Sequence, residues 1–428
     1  MATKTEPQND FKSETLTPRT TPYLLGHEVS EREFFDCFKS GAFHHSWIIS
    51  GQKGIGKATF AYRIIRYIFS LNNQDLLNDL NLDTKLDMEK LSTQTANIFD
   101  DENDDDDSDG YETDISDDSE VSYSSAKTTD TPSIKKSENL DLLDKSPLKL
   151  SPSHPIFERL LAGGITDLMV VEREFADSSH TKLKSEISVE QIRQLKEFFS
   201  KTSSEGGYKI ALIDCVDEMN PNSSNALLKI LEEAPNKSLL LLICNNYEGL
   251  LDTIKSRCRV LKLHPLSDEN MSILLRDYID GISDSDVKNL IELSEGSIGT
   301  AINFYNNNGI DILNLFFEVI PDLMSKKNKK ILDLCLMVGN IETKLKIFEQ
   351  IYINFLNNLI KLNAKLPVVF ASTEEEKITK LCAKYFTNSD SLFAIREQSL
   401  NDFNLVPILN LDYTATIISA FERIKNAY

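Results

Sequence analysis

Short apolar runs alternate with amphipathic stretches over the first 265 residues; beyond them only the helical period persists. Ser46 to Ser50, Leu168 to Glu172, Lys209 to Ile213, Ser238 to Cys244 and Val260 to Leu263 are apolar runs of strand length, bounded by polar residues or glycine. Such runs, without polar alternation, predict strands buried on both faces. Helices are predicted between them: over Glu31–Ser40, after Lys57 with Ala61, Ile64, Ile65 and Ile68 on one face, around Phe157, Leu160 and Leu161, over Ile187–Phe199, and through Asn225–Glu233. Ser188 is a candidate N-cap, with Gln191 completing a capping box. Strand–helix alternation of this kind predicts an α/β fold with a parallel sheet.

After Asp268 the strands stop. Helices are predicted over residues 268–279, 284–293 and 297–306, then over about 341–362 and 411–426. Leu345, Phe348, Tyr352, Phe355, Leu359 and Leu362 recur in steps of three and four, as a buried helix face requires. The predicted partition is a disordered N-terminus over 1–20, an α/β domain over 21–265, a small helical domain over 266–325 and a separate helical domain over 326–428.

One segment breaks the pattern. A helix is predicted over Leu71–Leu91, but from Ser92 to Ser153 the chain is Asp, Ser, Thr and Lys with few apolar groups. It cannot bury enough surface to offset the entropy of ordering, so disorder over about 92–153 is the expectation. Thirteen Asp or Glu crowd residues 100–120, without Lys or Arg, so most of the formal charge of −21 sits in that run. The run could mimic nucleic acid or recruit a basic partner, or could be a solvated loop. The whole-chain charge therefore does not exclude a DNA-facing surface elsewhere. The six cysteines form no CxxC pair, so neither a disulfide framework nor a cysteine zinc site is indicated. A polar N-terminus and no apolar run of membrane length point to a cytoplasmic protein with no membrane partner.

Candidate chemistry begins at Gly51-Gln-Lys-Gly-Ile-Gly-Lys-Ala-Thr59. Strand, glycine loop and helix form the context of a phosphate-binding loop. Gly51, Gly54 and Gly56 permit the tight turn, and Lys57 would reach the phosphates of ATP or ADP. Ala58 stands where such a loop supplies a hydroxyl to magnesium. Thr59 is one residue late, and helical geometry turns its side chain about 100° away. Asp214 ends a predicted strand and fits the carboxylate that holds magnesium or its water. The following residue, where a catalytic acid would stand, is Cys215, and a thiol neither abstracts a proton from water nor holds a fixed charge. Asp217 and Glu218 are nearby alternatives to that acid. Asn245, ending the next strand, could bond a γ-phosphate or cap a turn.

The set Gly51–Thr59, Asp214, Asn225-Ala-Leu-Leu-Lys-Ile-Leu-Glu-Glu-Ala-Pro235, Cys244-Asn245 and Ser256-Arg257-Cys258 resembles the AAA+ clamp loaders. Glu172-Arg173, Glu190 to Arg193, Gly206-Gly207 and Asp214 to Asn220 resemble the delta-prime branch of bacterial DNA polymerase III. The resemblance implies an AAA+ domain, a helical lid and an all-α collar. It implies that Arg257, flanked by Ser256 and Cys258, is an arginine finger for ATP on an adjacent subunit; otherwise Arg257 would make a surface ion pair. Family ATPases carry a sensing arginine in a Gly-Ser-x-Arg-x-Ala pattern, and Gly299 replaces it here. With Ala58 and Cys215, that implies ATP or ADP bound without hydrolysis, if bound at all. No zinc is expected, because no cysteine lies between Cys37 and Cys215. The implied setting is a pentameric ring with ATPase subunits and a clamp-opening subunit. That ring would load a sliding clamp on primer–template DNA as part of a DNA polymerase holoenzyme, in the nucleoid-associated cytoplasm. The alternatives are an active ATPase using Asp217 or Glu218, and a recruitment protein acting through the acidic run.

Overall fold

The computed structural model describes residues 17–41, 43–71, 140, 143–175, 184, 186–204, 206–324, 329–370 and 372–426. The predicted helix at 71–91 lies, after its first residue, outside them, as does the acidic run.

Five parallel strands form one sheet: β1 (Ser46–Ser50), β2 (Leu168–Val171), β3 (Lys209–Ile213), β4 (Ser238–Cys244) and β5 (Arg259–Lys262), in the order β2-β3-β4-β1-β5. β1, β3 and β4 are buried along their whole length, as their unbroken apolar runs predict. The two-residue alternation of strands divides their side chains between two cores. Trp47, Ile49, Leu241 and Ile243 face the helix over residues 57–71, with Phe60, Ile64, Ile65 and Ile68. Ile48, Leu240 and Leu242 face Ile192, Leu195, Leu227 and Ile230 on the opposite side.

In chain order the described helices of this domain are α1 (Glu28–Lys39), α2 (57–71), α3 (Pro155–Leu161), α4 (Val189–Ser200), α5 (Pro221–Glu232) and the short α6 (Asp252–Lys255). The Ser188–Gln191 capping box forms as predicted. α5 starts with Asn220 accepting from the Ser223 N–H and Pro221 in its first turn, so the chain is set up to turn out of β3 and back. The helical part runs α7 (Asp268–Tyr278), α8 (Asp284–Ser294), α9 (Ile298–Asn306), α10 (Gly309–Met324), α11 (Lys329–Val338), α12 (Glu342–Asn363), α13 (Thr373–Ala383), α14 (Ser389–Leu409) and α15 (Tyr413–Asn426). Its buried residues, from Leu266 to Ile424, belong to one apolar cluster, which Tyr23, Leu25 and Leu140 join.

Order extends further than composition suggests at two places. The N-terminus was expected to be disordered to residue 20, but Thr17–Thr20 forms a turn. Arg19 anchors it: its Nε donates to the Tyr62 hydroxyl at 2.8 Å, and its carbonyl accepts from Arg66. The insertion was expected to run to about 153, but residues 143–153 already pack on the fold. Leu148 is fully buried, and Asp144 meets the buried Arg63 at 2.7 Å. Arg63 also meets the buried Glu31 at 2.7 Å, so one guanidinium serves two carboxylates. Burial pushes the Glu31 carboxyl up to about 7, against the pull of Arg63. These contacts join distant parts of the chain, and local composition cannot show them.

Candidate nucleotide site

The sheet brings β1 and β3 to a common C-terminal edge, on either side of β4. The glycine loop leaves β1 there, and Asp214 leaves β3. Together they border a cavity of about 550 Å³, a size suited to a nucleotide-class ligand. Gly54 and Gly56 have φ of 82° and 103°, which L side chains rarely adopt. Lys57 is buried, and its Nζ donates to the Gly51 carbonyl at 2.8 Å and the Gln52 carbonyl at 2.6 Å. Burial lowers its pKa, opposed by the nearby carboxylates of Asp217 and Asp214. His27 braces the loop from below, its Nε2 2.7 Å from the Ile55 carbonyl oxygen. Ala58 lines the cavity, and so does Thr59. Thr59 was expected to point away from it; the cavity wraps around the start of α2 far enough to include both.

The acid position is chemically quiet. Cys215 sits in the left-handed region at φ 65°, its Sγ 3.5 Å from Asp214 Oδ1. Burial and the Asp214 charge push its thiol up to about 12, so it stays neutral at physiological pH. Asn245 Nδ2 is 3.1 Å from that sulfur, so the asparagine caps the thiol while lining the cavity. Asp217 and Glu218 are engaged elsewhere. Asp217 accepts the backbone N–H groups of Asn245 at 3.0 Å and Asn246 at 3.2 Å. Glu218 pairs with Arg173 at 2.7 Å, and burial raises its pKa. Neither residue lines the cavity.

The helical part closes the other wall. Gly299, at the start of α9, donates its N–H to the Gly54 carbonyl at 2.8 Å. Ser297 Oγ donates to the Lys53 carbonyl at 2.8 Å. A Cβ on Gly299 would stand 3.0 Å from Gly54 Cα, and one on Gly54 would stand 2.4 Å from Ser297 Oγ. The lid therefore rests on the loop itself, where a longer side chain has no room. Tyr278, Ile279 and Ile302 add an apolar wall suited to a base, and Pro18 and Thr21 close the rim. Sequence reasoning missed these lid and N-terminal residues. Gly296-Ser-Ile-Gly-Thr300 was the one signal of the lid's proximity.

Arg257 stands at the opposite end. Parallel pairing places Trp47 against Arg259 and Ser50 against Lys262, so residue 257 precedes the start of β5 while the glycine loop follows the end of β1. The two are separated along the strands by roughly 15–20 Å. Arg257 therefore takes no part in its own chain's cavity. It is partly exposed, with Nη2 2.7 Å from Glu232 Oε1 and Nη1 donating to the Thr253 carbonyl at 3.0 Å. Ser256 Oγ lies 3.4 Å from Nη1. Cys258 is raised to about 12 by burial, which makes it a packing residue. The six cysteines are all free, and among the described residues no helix is long and apolar enough to cross a membrane.

A parallel sheet in this order, a glycine loop after β1, an acid after β3 and a helical lid over the loop define a P-loop α/β domain of the AAA+ kind. The family described as DNA polymerase III, delta subunit, matches residues 26–267, and this chain belongs to it. The DNA polymerase III subunit delta' of Pseudomonas aeruginosa is 39% identical over 144 residues, covering 33% of this chain and 41% of that protein. The Bacillus subtilis subunit delta' is 45% identical over 76 residues, covering 18% of this chain and 23% of that protein. The match thus spans less than half the length of either. The DNA polymerase III subunit gamma of Buchnera aphidicola from Schizaphis graminum is 21% identical over 388 residues, covering 85% of this chain and 84% of that protein.

Proposed function

We propose that this chain is a delta-prime-like, non-hydrolysing subunit of a clamp loader in DNA replication, acting on a neighbour's ATP through Arg257. The carrying observation is the separation of parts: a neutral thiol, Cys215, follows Asp214 at the chain's own cavity, and Arg257, partly exposed, lies at the far end of the sheet. An arginine suits the role, because its charge is fixed and its planar fork matches phosphate oxygens. Flanking Ser256 and Cys258 hold the turn that presents it. The delta' and gamma relatives support assembly with other clamp-loader subunits; in this reading the assembly is a pentameric ring with ATPase subunits and a clamp-opening subunit, serving a sliding clamp and primer–template DNA in the cytoplasm. In this reading 21–265 is the AAA+ domain, 266–325 the lid and 326–428 the collar through which the ring assembles.

The cavity's residues fit a nucleotide held without turnover. Gly51, Gly54, Gly56 and Lys57 would cradle the phosphates, with Thr59, Asp214 and Asn245 around them. Bound ATP or ADP would supply phosphate charge for Lys57 in place of its present carbonyl partners. Ala58 offers no hydroxyl to magnesium and Cys215 no base, so no step of hydrolysis follows in this cavity. Titration with a fluorescent ADP should saturate the purified chain, and Lys57→Ala should weaken binding roughly tenfold or more. Equal binding by both would show that the loop is a structural turn only. The subunit role is tested by reconstituting the ring with its ATPase subunits. Arg257→Ala should assemble normally and lower DNA-stimulated ATPase; in well-studied trans systems such an arginine is worth roughly 10³–10⁵ in rate. An unchanged rate in an assembled ring would contradict the proposal.

A further inference from the structure

We infer that Glu232 is a positioning residue for Arg257, holding the guanidinium in the orientation in which it meets a neighbour's phosphate; this rests on the trans-arginine reading above. Glu232 is the last residue of α5, and its Oε1 is 2.7 Å from Arg257 Nη2. A carboxylate at a helix C-terminus opposes the helix dipole, and Glu233 follows it at the C-cap. A local rule broken without gain to the helix marks a place where another demand is met. Stability is not that demand, because both side chains are substantially exposed and such pairs add little. Orientation is. Thr253 and Ser256 hold Nη1 and Glu232 holds Nη2, whereas Nε carries no hydrogen bond to a described residue. The guanidinium is thus fixed from two sides by α5 and the turn after α6, with donors left over for an incoming anion. An arginine on a flexible stem gains most from such prior fixing, since less freedom is lost when the phosphate binds.

The test uses the reconstituted ring, with steady-state DNA-stimulated ATPase as readout. Glu232→Gln should lower kcat about three- to tenfold with little change in the KM for ATP, since orientation acts in the transition state. Glu232→Asp should recover part of the rate, and Glu232→Gln should add nothing on an Arg257→Ala background. A wild-type rate for Glu232→Gln, a higher rate, an additive loss on Arg257→Ala, or failure of the ring to assemble would each overturn the inference. If Arg257→Ala itself leaves the rate unchanged, the underlying reading fails instead, so the two failures are distinguishable.

Discussion

The two ends of one sheet carry opposite kinds of polar chemistry. At the C-terminal edge of β1 and β3, three groups that could act are neutral or already bonded: Lys57 to loop carbonyls, Asp217 to backbone amides, Cys215 as an uncharged thiol. At the N-terminal end of β5, Arg257 keeps a permanent charge, partial exposure and a breakable ion pair. The same fold thus holds an enclosed cavity and an outward-facing arginine. Loss of chemistry at one end does not imply loss at the other, because strands rather than shared residues connect them. On the function proposed above, this subunit would not hydrolyse ATP yet would be required for hydrolysis next door.

This contrast can be sharpened at the cavity end. The largest expected effect is on thiol reactivity. With Cys215 pushed to about 12, its thiolate fraction at pH 8 should be on the order of 10³-fold below that of an ordinary cysteine. Alkylation with iodoacetamide, followed by mass spectrometry across pH, should show slow labelling that rises up to pH 10 without a plateau. A plateau near pH 8 would mean the site holds a positive field, and the silent-cavity picture would weaken. A smaller effect is expected for Gly299→Arg. The lid touches the loop too closely for an added side chain, so overpacking should cost about 1–3 kcal/mol, read as a Tm several degrees lower. An unchanged Tm would show that the lid swings clear of the loop.

Much of this was legible in the sequence, for physical reasons. Unbroken apolar runs such as Leu239–Ile243 can only be buried strands in so small a domain, and the sheet follows. Ser188–Gln191 declares a helix start by local hydrogen bonding alone. The replacements at 58, 215 and 299 were visible, because each removes a whole functional group. Contacts between remote segments were not. Nothing near Asp144 announces Arg63, so residues 143–153 looked like the tail of the insertion. Residues 17–20 looked disordered because the anchors of Arg19, Tyr62 and Arg66, lie in α2. Nothing in the sequence pairs Glu232 with Arg257; the turn at 253–257 brings the two together.

The central claim is that the working group of this chain is Arg257 and not its own phosphate loop. It is tested most directly by measuring DNA-stimulated ATPase in matched reconstituted rings carrying Lys57→Ala or Arg257→Ala in this subunit alone. The account predicts a wild-type rate for Lys57→Ala and a loss of about tenfold or more for Arg257→Ala. A loss confined to Lys57→Ala, with Arg257→Ala at the wild-type rate, would contradict it.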